Sequence, residues 1–206
     1  MRSAAAAGAA SRPPNAGSEQ YTSPCCGHLC KRGDSARHLQ PGQAAPFRVA
    51  SVLGQLADAD FLCLDHAGQI TVAYPFSALP TPHRVQIAGH ATVFAMCAID
   101  ALGISAMTGR PVVIESADPS TGEPITVNVD GASSTWDPAT AVVYVGRTGG
   151  DCAGPSASVC CGYMNFFAAR AAAAAWAASR PEITGGILGQ DRALHVGIGI
   201  FGRLLS

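Results

Sequence analysis

Val112-Val113-Ile114-Glu115, then Asp118-Pro119-Ser120-Thr121-Gly122, then Ile125-Thr126-Val127-Asn128-Val129: this run decides the fold. Two β-rich segments flank a turn of Asp, Pro, Ser, Thr and Gly, which reads as an antiparallel hairpin. Working outward, His83-Arg84-Val85-Gln86-Ile87 and Ala141-Val142-Val143-Tyr144-Val145 read as further strands. Thr92–Met107 reads as an apolar helix with Thr92 as its N-cap. Residues 146–158 form a Gly-rich loop that delivers Cys160, and Phe166–Ser179 reads as a helix stopped before Pro181. Ile183–Leu188 is a strand or turn, and Asp191–Leu205 a helical or mixed segment.

Upstream, Phe47–Ala57 has the spacing of a short amphipathic helix. It is followed by a hairpin, Phe61–Leu64 and Ile70–Tyr74, turned by Asp65-His66-Ala67-Gly68. Helix plus hairpin resembles the end of a winged helix. The earlier helices and the basic recognition face of a DNA reader are not evident, so this segment is expected to be structural. Pro75–Pro82 reads as a loop. The expected class is α+β: a mixed or antiparallel sheet core with flanking helices and a partial winged-helix-like N-terminal segment. Three parts are expected: a disordered or loosely packed Cys-containing tail over 1–45, the partial winged-helix-like segment over 46–80, and a main domain over 81–206.

Composition narrows the function. The 206 residues are 48% hydrophobic and 13% charged, with net charge −1, so neither bulk nucleic-acid nor membrane-surface binding is indicated. No stretch is long and apolar enough to span a bilayer. The eight cysteines are irregularly spaced and two pairs are adjacent, Cys25-Cys26 and Cys160-Cys161. That pattern suits a reduced, cytoplasmic chain better than a disulfide framework. Zinc-hydrolase, nucleophile-elbow and phosphate-loop motifs are not found.

The chemistry lies in the sulfurs. Cys97 and Asp100 in Met96-Cys97-Ala98-Ile99-Asp100 share one face of a helix. A thiolate is a soft-metal ligand and a carboxyl group a proton carrier. Helix-start amides would favour the Cys97 thiolate, while burial would raise the Asp100 pKa. In a strand, Cys160 and Cys161 point opposite ways, so only one of them would face Cys97. Cys63 reads as a core residue, Cys152 as an accessory thiol, and Cys25, Cys26, His28 and Cys30 as either a flexible segment or a soft-ion site.

Three stretches, Val93–Leu102 with Thr108-Gly109-Arg110, Ser120–Ile125, and Ser158-Val159-Cys160-Cys161 with Asn165-Phe166-Phe167-Ala168, together resemble the organomercurial (alkylmercury) lyase family. The resemblance runs over roughly residues 70–206 and includes Trp176-Ala177. It implies protonolysis of the carbon–mercury bond of R–Hg⁺ to R–H and Hg²⁺. Cys97 and Cys160 would be the catalytic, mercury-binding cysteines and Asp100 the proton donor. It also implies no tightly bound cofactor, turnover with exogenous thiols, and a mercuric reductase as acceptor of Hg²⁺. Well-known members have a longer helical N-terminal region, a structural cysteine where Asp118 or its neighbours stand here, and an aromatic residue at the place of Met96. The alternative reading is a non-catalytic Hg²⁺/Cu⁺/Zn²⁺ sequestering protein, for which Asp100 would have no use; a metal-responsive regulator is a third.

Overall fold

The computed structural model describes residues 46–148 and 154–205. Helix α1 (Pro46–Asp58) leads into short strands β1 (Leu62–Leu64), β2 (Ile70–Ala73) and β3 (Phe76–Ser77). Then come β4 (His83–Ile87), β5 (Thr92–Ala95), helix α2 (Ala98–Thr108), β6 (Val112–Ala117), β7 (Pro124–Asp130) and β8 (Ser133–Asp137). The rest is β9 (Val142–Thr148), a one-turn helix α3 (Ser156–Val159), a 3-10 turn (Cys161–Tyr163), β10 (Met164–Phe167), α4 (Arg170–Ala178), β11 (Ile183–Leu188) and α5 (Gln190–Phe201).

Eight strands form one sheet in the order β1-β2-β3-β5-β4-β6-β7-β8, and three form a second in the order β10-β9-β11. Every pairing is antiparallel. The class is α+β, as expected. The helix and first hairpin exist as read, but the hairpin is hydrogen-bonded through β3 into the main sheet, so the sheet crosses residue 80 without a break. The central hairpin closes in register, with Val112 opposite Val129 and Ile114 opposite Val127. Alternation explains its sidedness: Ile125, Val127 and Val129 are buried while Asn128 is exposed.

Helix α2 is the centre of the core. Ala98 through Ser105 are all buried, the pattern of a helix apolar all round. It packs on β4–β7, on β10 and most extensively on α5. Burying Ile99, Leu102 and Ile104 completely contributes about 1.5–3 kcal/mol each. The α2–α5 crossing depends on two glycines. A Cβ at Gly103 would lie 2.7 Å from the Gly197 carbonyl oxygen, and one at Gly197 would lie 2.8 Å from the Ile99 carbonyl oxygen. Backbones can approach this closely only without side chains.

Two expected boundaries move. Thr92–Ala95 is a strand, not the first turn of a helix, because Thr92-Val93-Phe94 pairs with Gln86, Val85 and Arg84 of β4. The helix starts at Ala98, its N-cap is Cys97 rather than Thr92, and Gly109 ends it with φ +64°. Likewise Phe166-Phe167 closes β10 against Val142 and Val143, and the following helix starts only at Arg170. Trp176 from that helix packs edge-on against Tyr144 and Phe167 over the smaller sheet.

Candidate active site

The site forms where β5 turns into α2 and the α3–β10 connection crosses it. Cys97 takes an extended conformation at the N-cap, and its sulfur accepts a hydrogen bond from the Asp100 amide at 3.4 Å. Its thiol donates to the Met164 Sδ at 3.9 Å. Asp100 follows one turn later, so both side chains emerge on the same side. Ligand atoms of Cys97, Asp100 and Cys161 all lie within 4.8 Å of one another, and all three residues are buried. Among the described residues this is the one group of His, Cys, Asp or Glu side chains gathered closely enough to grip a metal ion.

The expected partner of Cys97 was Cys160, which is buried but stands outside this group. The reason is local. Helix α3 ends at Val159, Cys160 sits at the junction with φ −127° and ψ −52°, and the chain then tightens into the 3-10 turn that starts at Cys161. That turn places the Cys161 sulfur in the cluster. Sequence also gave no sign of Met164, whose thioether is a second soft sulfur beside Cys97. The sites suggested at Cys25, Cys26, His28, Cys30 and Cys152 lie outside the described residues.

Electrostatics set the resting protonation. Burial pushes the Cys97 thiol well above its ordinary range, reinforced by the hydrogen bond with Cys161 and the nearby Asp100 carboxyl; the Asp100 amide pulls only partly back. The helix start therefore does not win over burial, and Cys97 rests as the thiol. Burial raises the Asp100 carboxyl to about 7, against a smaller lowering by its hydrogen bonds with Cys97. Its Oδ2 is buried without a hydrogen-bond partner among the described residues. A carboxyl group poised near neutrality can both take and give a proton. His83 is buried against Phe166 and Ser116, and burial lowers its pKa to about 4, so it stays neutral.

Asp118 has a distinct role. Its carboxylate accepts hydrogen bonds from Ser120 and Thr121 in its own turn and, through Oδ2 at 3.0 Å, from the buried amide of Ala168. It ties the β6–β7 hairpin to the end of β10, where the resemblance implied a structural cysteine.

Two buried thiols and a protonatable carboxyl, gathered on an antiparallel α+β frame, are a donor set that could hold a soft metal ion. The comparisons with known proteins are specific. The MerB family model, alkylmercury lyase, matches residues 76–202. An alkylmercury lyase of Bacillus cereus is 33% identical over 150 residues, 72% of this chain and 65% of that protein. One of Staphylococcus epidermidis is 36% identical over 121 residues, 58% of this chain and 54% of that protein. The crystal structure of the mercury-bound form of MerB2 superposes with a TM-score of 0.66 at 28% identity, covering 79% of this chain and 78% of that one. This chain belongs to the alkylmercury lyase family. It spans about 65% of the length of the first relatives it matches.

Proposed function

We propose that this protein is an organomercurial lyase that cleaves the carbon–mercury bond of R–Hg⁺ by protonolysis. The observation that carries this reading is the buried convergence of Cys97, Asp100 and Cys161 within 4.8 Å. Mercury prefers sulfur, and two thiolates on one mercury raise electron density on the attached carbon. Cys97 displaces the outer ligand of R–Hg⁺ and passes its proton to Asp100, whose carboxyl is held near neutrality by burial. Sulfur from the adjacent-cysteine segment joins, and Asp100 delivers the proton to carbon as the Hg–C bond breaks. Overall, two S–H bonds become one C–H bond and two Hg–S bonds, and one proton leaves to solvent.

The geometry favours Cys161 as the second sulfur; the family motif as first aligned favours Cys160, and single substitutions decide between them. Exogenous thiols in a reducing cytoplasm would extract Hg²⁺ and restore the dithiol, with a mercuric reductase as a fitting acceptor. No tightly bound cofactor enters this scheme. Among the described residues no helix is long and apolar enough to cross a membrane.

Purified protein incubated with phenylmercury and excess thiol should release benzene. Cys97→Ser, Cys161→Ser and Asp100→Asn should largely lose it, while Cys160→Ser keeps it. Loss in Cys160→Ser with retention in Cys161→Ser would return the role to Cys160. Stoichiometric mercury binding without benzene from the wild type would leave a sequestering protein.

A further inference from the structure

Among the described residues, two buried side-chain polar atoms lack a hydrogen-bond partner, Asp100 Oδ2 and the hydroxyl oxygen of Tyr74. Buried polar atoms are nearly always paired, so each exception asks for a physical reason. For Asp100 the reason is the proton chemistry already described. Tyr74 has no part in that chemistry.

Tyr74 stands where the first hairpin joins the main sheet. Its amide donates to the Phe61 carbonyl at 3.2 Å, and the carbonyl of Pro75 accepts the Met96 amide at 3.0 Å. The backbone is thus tied on both sides, next to the residue that precedes Cys97. The ring is partly buried and packs against the core that contains Cys97. Burial, with Cys161, Asp60, Cys63 and Asp100 around the hydroxyl, pushes its pKa up, so it stays neutral. The Cys63 thiol is near enough to feel the hydroxyl but does not complete a hydrogen bond of ordinary length.

Cys97 is 1% exposed and Asp100 6%, so a substrate reaches them only when a covering side chain moves. The inward position of Tyr74 is a costly one, because its hydroxyl has given up water and gained no partner. Turning the ring outward about its side-chain bonds returns the hydroxyl to water and leaves the backbone in place. The open position is therefore more accessible to tyrosine than to phenylalanine, on the order of tenfold in population.

We propose that Tyr74 is the gate of the site: its ring closes the approach to Cys97 and Asp100, and its unsatisfied hydroxyl makes the closed position easy to leave, so the organomercurial enters as the ring turns out. This rests on the reading of Cys97 as the thiol that meets the substrate; the identity of the second sulfur does not enter. Tyr74 acts on entry and not on bond cleavage.

The test compares Tyr74→Phe and Tyr74→Ala with wild type in the full chain. One readout is alkylation of Cys97 by iodoacetamide across a pH series, followed by mass spectrometry of the Cys97 peptide with N-acetylcysteine as competing reference thiol. The other is single-turnover benzene release over a range of phenylmercury concentrations. In Tyr74→Phe, Cys97 alkylation should slow about tenfold at every pH with the midpoint of the pH profile unmoved. The phenylmercury concentration for half-maximal release should rise by about the same factor while the plateau rate holds. Tyr74→Ala should be alkylated on the order of tenfold faster than wild type. The phenylalanine variant should be at least as stable as wild type in urea, so if the alanine variant does not fold, the phenylalanine variant carries the test alone. Alkylation of Tyr74→Phe as fast as wild type, a slowing that comes only from a shifted pH midpoint, or a folded alanine variant no faster than wild type overturns the gate. Slower alkylation of Tyr74→Phe in a protein whose wild type releases no benzene keeps the gate and removes the lyase reading. Benzene release with unchanged alkylation keeps the lyase reading and removes the gate.

Discussion

Replacing Asp100 with asparagine should stabilise the protein while disabling it, and the stabilisation should depend on pH. In the fold, burial raises the carboxyl from its ordinary value of 3.8 to about 7. Below pH 4 both folded and unfolded chains hold the proton, and the substitution is then nearly isosteric. As pH rises past the unfolded value, the unfolded chain releases its proton but the folded chain keeps it until about 7. The unfolded state binds fewer protons throughout this window, so wild-type stability falls with pH. Roughly three pKa units at 1.36 kcal/mol each give a penalty of about 4 kcal/mol, complete above pH 7–8. Asparagine does not titrate, so the variant escapes the penalty. Urea unfolding of both proteins at pH 4.5, 6 and 7.5 measures it, and the titration of His83 cancels in the difference. A gap between Asp100→Asn and wild type that widens toward high pH is the expected result. A gap independent of pH, or wild type gaining on the variant as pH rises, would refute a buried, elevated Asp100. Hydrocarbon release by the variant should be lost at every pH, separating function from stability.

Three other outcomes follow from the geometry. Asp118→Ala should cost about 3 kcal/mol in urea unfolding because it orphans the buried Ala168 amide, and Asp118→Asn should recover most of that. Gly197→Ala should lower stability by about 2–3 kcal/mol by driving α2 and α5 apart, since the new Cβ would lie 2.8 Å from the Ile99 carbonyl oxygen; thermal unfolding reads it. His83→Gln should flatten the acid limb of the stability curve. The unfolded histidine takes a proton at 6.5 and the folded one only at about 4, so wild type loses up to about 3 kcal/mol as pH falls through that interval and the variant does not.

The strand pattern was legible wherever one face is buried. Val85 and Ile87 alternate with exposed Arg84 and Gln86, and the β6–β7 hairpin follows from its turn residues. Strand β8 escaped notice because Ser133-Ser134-Thr135-Trp136-Asp137 buries only Trp136, leaving almost no apolar signal. The strand over Thr92–Ala95 was absorbed into the helix after it because a short apolar run does not reveal its own period. Cys97 and Asp100 were legible as a pair because helical spacing fixes their relation. Which adjacent cysteine joins Cys97 and Asp100 was not legible, because it depends on the 3-10 turn that starts at Cys161. Nor did local sequence reveal that burial outweighs the helix start at Cys97, since the core that buries it is assembled from segments distant in the chain, Met164 of β10 among them.

The sulfur of Cys97 is also the atom that closes the first turn of α2. That bond makes the Asp100 amide a reporter on the sulfur: under the proposed chemistry the acceptor changes from a thiol to a mercury-bound thiolate, so the amide resonance should shift when mercury is added and return when thiols strip the metal away.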